Sequence, residues 1–127
     1  MKFLIVDPTK QEVRVVNAPD AHDAHPDLYK RGVDFGTVFS GLGLYVYEYG
    51  LVDLQPPYFA LNGGLYSGDA VLFAYDHTGE TVSMPEVKIE PAKGATVVTG
   101  LEHPLVINWL PTPADAEIAI DSRVCAR

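Results

Sequence analysis

From Thr37 to Pro113 the chain is cut by proline or glycine before any apolar run reaches helical length. Helices need about 10–12 uninterrupted residues of 3.6-fold pattern to be recognisable, whereas strands of 4–8 residues tolerate frequent punctuation. The runs between the breaks are rich in Val, Ile, Leu, Tyr and Phe, the residues that fit a pleated, half-buried surface. "AVLFAY" (70–75) is apolar at both parities, which predicts a central strand covered on both faces. "DHTGE" follows it, with Asp76 placed to open a turn and Gly79 to close a bulged hairpin at positive φ.

The opening "KFLIVDPTKQEVRVV" predicts an antiparallel hairpin. Pro8 cannot donate to a ladder and ends the first strand. Val13 and Val15 share a face of the second, opposite Arg14. "TVFSGLGLYVYEYGLV" reads as one strand bent at Gly41 and Gly43 or as two short strands. "LQPPYFAL" suits an edge strand or a crossing, "NGG" (62–64) a turn, and "TVSM" a strand with Val82 and Met84 on one face. "PDLYKRG" offers the one clear helix, with Pro26 at its start and Gly32 as its stop. The expected fold is mainly β, bordering on α+β. It is a single antiparallel sheet or a partly closed barrel, with at most one or two short helices. The 127 residues show no repeat, low-complexity linker or shift of composition, so one domain over 1–127 is expected.

Charge narrows the function. Seventeen Asp and Glu against nine Lys and Arg give a net charge of -8, without a basic run to meet phosphates. Direct nucleic-acid binding and attachment to anionic membranes are disfavoured. The apolar tetrapeptide after Lys2 is too short for a secretory core, and the single Cys125 cannot form an internal disulfide. A cytoplasmic protein is expected.

No known catalytic motif is legible. "SGLGLY" lacks the third glycine of a dinucleotide fingerprint, and "NGGLYSGD" lacks the Lys-Ser or Lys-Thr of a phosphate loop. His22 and His25 in "HDAHP" have the spacing of two helical metal ligands, but Pro26 disfavours helical backbone at His25. Neither a metal nor a cofactor is expected. The remaining signal is "LYVYEYGLVDLQPPYFAL" (44–61), in which Tyr45, Tyr47 and Tyr49 alternate and must share one face of a strand. Glu48 falls on the opposite face. Candidate binding residues are Tyr45, Tyr47, Tyr49, Glu48 and Tyr58.

The longer stretch "LYVYEYGLVDLQPPYFALNGGLYSGDAVLFAYDHTGE" resembles small domains of unassigned function encoded by phages, prophages and other mobile elements. There a Gly-Asp-Ala-Val strand is followed by an Asp-rich turn. The resemblance implies an accessory protein of a bacterium or phage and transfers no catalytic residue. Three readings follow. The first is a non-enzymatic binding or interaction module, with a protein partner or a second copy as its counterpart. The second is a small-molecule-binding protein or enzyme with a tyrosine-lined pocket. The third is an acidic inhibitor that mimics nucleic acid.

Overall fold

The computed structural model describes residues 1–47 and 56–112. The fold is mainly β. Its described strands form two antiparallel sheets rather than a single sheet or a barrel. The first sheet contains β1 (Lys2–Asp7), β2 (Glu12–Asn17), β3 (Val33–Phe39), β4 (Leu42–Tyr47), β7 (Ala70–Tyr75) and β8 (Thr81–Val82). Its order is β2-β1-β7-β4-β3, with β8 paired to the end of β7. The second contains β5 (Tyr58–Leu61), β6 (Gly64–Ser67), β9 (Lys88–Ala92), β10 (Ala95–Thr99) and β11 (Leu105–Leu110). Its order is β6-β5-β11-β10-β9. Two short helices, α1 (Ala21–Ala24) and α2 (Pro26–Lys30), complete the described elements. Neither is long and apolar enough to cross a membrane.

The alternation of side chains sorts the first sheet into two faces. Leu4, Val6, Leu42, Leu44, Ala70, Leu72 and Ala74 pack with Phe59, Leu61, Val98, Leu105, Ile107 and Trp109 of the second sheet in one shared core. Residues of the other parity, Phe3, Ile5, Val71 and Phe73, pack under Leu28 of α2 and the alanines of α1. The arrangement is thus helix pair, sheet, sheet. It explains why β7 is wholly apolar from Ala70 to Ala74: both of its faces are interior there. The buried Thr96 hydroxyl on the core face accepts from the Trp109 indole N–H at 3.2 Å, which removes the cost of an unmatched donor.

Several local expectations hold and some change. The opening hairpin forms, with Lys2 opposite Asn17 and Asp7 opposite Glu12. Asp7 takes the Lys10 N–H at 3.2 Å and the Arg14 guanidinium at 3.1 Å, which fixes the turn at Pro8. Val13 is buried, whereas Val15 on the same face is exposed because β2 is an edge. β5 is not an edge strand, since it pairs with β6 on one side and β11 on the other. Met84 is buried, but Val82 is exposed: the strand ends at Val82, and Met84 enters the core beyond it. α1 lies just before the Pro26 to Gly32 helix that the sequence predicts. Asp20 caps it by accepting the Asp23 N–H at 2.9 Å.

Gly41 and Gly43 take different parts. Gly41 has φ +93 in the turn between β3 and β4. Gly43 lies within β4 opposite Phe73, and a Cβ there would run into the Phe73 ring. At the β7–β8 turn, the Asp76 carboxylate accepts from the backbone N–H of Thr78 and Glu80 and from the Thr78 hydroxyl, and Gly79 has φ +88 with open space around it.

Replacement of either Gly43 or Gly79 by alanine is expected to destabilise the chain, for opposite reasons. At Gly79 the loss is backbone strain alone, about 1 kcal/mol. At Gly43 the methyl group must displace Phe73, an overpacking loss of about 1–3 kcal/mol. Urea unfolding of the two variants distinguishes them. Because these hydrogen bonds hold Asp76 below the usual carboxylate range, led by that from the Thr78 hydroxyl, its stabilisation is present above the ordinary carboxylate pKa and fades as pH falls through the lowered value. Asp76→Asn should therefore flatten the acid limb of the melting temperature against pH.

Candidate binding surface and cavity

Tyr45 and Tyr47 share one face of β4, and it is the helix-side face. Tyr45 stacks on Phe73, with ring centroids 4.7 Å apart and planes 23° apart. Phe73 lies over Gly43, so the absent side chain in one strand makes room for a ring from the next. Tyr29 of α2 sits 5.5 Å from Tyr45, and His22 of α1 sits 4.9 Å from Tyr29. On the other flank, Phe35 of β3 lies 6.0 Å from Tyr45 and 5.8 Å from Phe73. Tyr75 continues the row at 6.2 Å from Phe73. Burial raises the pKa of the Tyr29 phenol well above the ordinary tyrosine range, and Tyr45 and Asp20 add to it, so this face stays uncharged there.

The row runs from covered to open. Phe73 is buried, Tyr45 half-buried, and Phe35 is 56 % exposed on a strand that pairs only with β4 among the described residues. Aromatic pairs of this geometry contribute about 0.5–1.5 kcal/mol beyond their buried area. Phe35 is therefore held in place by its neighbours while most of its ring faces solvent.

Tyr47 belongs to a second place. The Arg31 guanidinium, one residue beyond α2, lies 4.4 Å above its ring. Beside them opens a cavity of about 330 Å³, whose wall includes Leu28, Pro57, Ser67 and Asp69. His25 stands in this wall between the two helices, with φ -152, outside helical geometry as its following proline requires. Its Nδ1 accepts the Leu28 N–H at 3.3 Å, capping α2. Only a lone pair can accept, so the ring proton sits on Nε2, which donates to Asp69 Oδ2 at 2.8 Å. Both nitrogens are thereby engaged, and the residue ties the helix pair to the turn before β7.

The sequence candidates are thus divided. Tyr45 joins the aromatic row and Tyr47 the cavity. Tyr58 is buried in the second sheet with Leu65 and Leu110, apart from both. Glu48 and Tyr49 lie outside the described residues, as does Cys125. His22 and His25 do not converge as ligands, because His25 is turned to Leu28 and Asp69. His22 instead shares a patch with Asp20 and Asp23, their donor atoms within 4.8 Å of one another and all three exposed. Sequence reading missed Phe35, Arg31 and Asp69. For Phe35 the signal was present, since it alternates into register opposite Tyr45. Asp69 meets His25 across 44 positions, and nothing local announces such a pair. No model of a known protein family, no curated protein and no solved structure matches the chain.

His25→Ala removes both the cap and the tie, and is expected to lower unfolding free energy by about 2 kcal/mol. Asparagine at the same position can still accept the Leu28 N–H and should recover about half of that loss. Denaturant unfolding of the two variants, read by tyrosine fluorescence, checks both values.

Proposed function

We propose that the chain is a non-enzymatic interaction module of bacterial or phage origin, which docks a protein partner or a second copy of itself on the aromatic row beside β3. The observation that carries this reading is Phe35: a large apolar side chain, more than half exposed, anchored on Tyr45 and Phe73 in the strand that ends the first sheet among the described residues. Edge strands with unpaired backbone groups accept further strands, and proteins usually blunt them with charge or proline. β3 carries Asp34 and no proline, and places Phe35 and Thr37 outward. Aromatic residues are enriched at the centres of interfaces, where rigid rings give large contact area at small entropic loss.

A cytoplasmic setting suits the single cysteine, and the net charge of -8 favours a protein counterpart over nucleic acid. Catalysis draws no support from His25, whose two nitrogens are spent on Leu28 and Asp69. Phe35→Ser is the discriminating variant. It should leave unfolding free energy within about 0.5 kcal/mol of the parent, as exposed substitutions do. In sedimentation velocity the parent should associate with rising concentration, or should capture a partner, and the variant should do neither. A variant that loses stability like a core residue, with association intact, refutes the role of this face.

A further inference from the structure

We propose that the cavity beside Tyr47 binds a small zwitterion of the α-amino-acid type, its carboxylate on Arg31 and its ammonium group on Asp69. This site is separate from the Phe35 face, and neither reading depends on the other. Arg31 makes no ion pair among the described residues, and its contact is the Tyr47 ring at 4.4 Å. A guanidinium held over a ring face keeps N–H groups able to donate, and a guanidinium matches a carboxylate in bidentate fashion. In a chain with nearly twice as many acids as bases, a cation held this way and without an ion pair among the described residues is conspicuous.

Asp69 supplies the opposite pole. Its Oδ2 takes the His25 Nε2–H, while Oδ1 has no partner among the described residues. The hydrogen bond from His25 orients the Asp69 carboxylate toward the helix pair and leaves its second oxygen available to a ligand. Leu28 and Pro57 give the cavity apolar wall for a side chain. Its volume, about 330 Å³, is at the small end of ligand pockets, suited to an amino acid rather than a nucleotide. Asp27 also lines the space, so the lining carries two carboxylates and one guanidinium. Phosphates and dicarboxylates would meet like charge, and a simple amine would leave Arg31 unanswered. A molecule with both charges answers both poles.

The test uses the intact chain and three ligand sets: free amino acids at millimolar concentration, their N-acetyl derivatives and their α-carboxamides. Thermal shift finds the free amino acid that stabilises most, and titration calorimetry compares it with its two blocked forms. Each blocked form should bind at least about tenfold more weakly, the loss expected when a charge-assisted hydrogen bond is removed. Arg31→Met and Asp69→Asn should each weaken the free amino acid by a similar factor. Asparagine still accepts the His25 N–H, and methionine still covers Tyr47, so both variants should melt like the parent without ligand. The proposal falls if no free amino acid raises the melting temperature. It falls equally if the N-acetyl form binds as well, which makes this a carboxylate site, or if the carboxamide does, which makes it a cation site. Unchanged affinity in both variants places the ligand elsewhere. Should a variant fail to fold, the blocked ligands on the parent chain decide the matter.

Discussion

The whole molecule hangs on the burial of β7 from both sides. Ala70, Leu72 and Ala74 face the core shared by the two sheets, while Val71, Phe73 and Tyr75 face the helix pair and the aromatic row. Its backbone pairs with β1 along one side and β4 along the other. Burying one large aliphatic or aromatic side chain contributes about 1.5–3 kcal/mol, and a domain of this size is stable by only about 5–15 kcal/mol in all. Removal of either face of this strand would therefore consume most of the margin. The two candidate sites are built against the same strand, Phe73 under the aromatic row and Asp69 at the turn that leads into it.

The architecture was legible where the determinants are local. The unbroken apolar run of β7, the Asp76 and Gly79 turn, the opening hairpin and the Pro26 to Gly32 helix each carry their chemistry within a few residues. What could not be read is how strands distribute between sheets. The face of β5 carrying Phe59 and Leu61 and the face of β4 carrying Leu42 and Leu44 have the same apolar character, yet they sit in different sheets, facing one another. Alternation says that a face is buried and leaves open what buries it. Gly43 shows the same limit. A glycine in a strand signals a close approach, but the ring that approaches belongs to a strand thirty residues on.

The candidate sites followed this division. The tyrosine alternation correctly placed Tyr45 and Tyr47 on one face, because period 2 is a property of the strand itself. It could not tell that Tyr45 is locked between Phe73 and Tyr29 while Tyr47 lies under Arg31. Histidine 25 is the sharper case. Alone in the sequence it is a helix-flanking residue before a proline; in space it joins two helices to a strand turn through one ring.

The packing of the aromatic row also bears on what binding there would demand. Phe35 leans on Tyr45 and Phe73, and Phe73 is itself confined over Gly43. A ring held this way has already surrendered most of its rotamer freedom when the chain folds. Ordering a mobile side chain at an interface costs about 0.5–1.5 kcal/mol, and here folding has absorbed that loss in advance. The exposed edge is thus preorganised: a counterpart docking there would gain or lose affinity through shape and desolvation rather than through the entropy of arranging these rings.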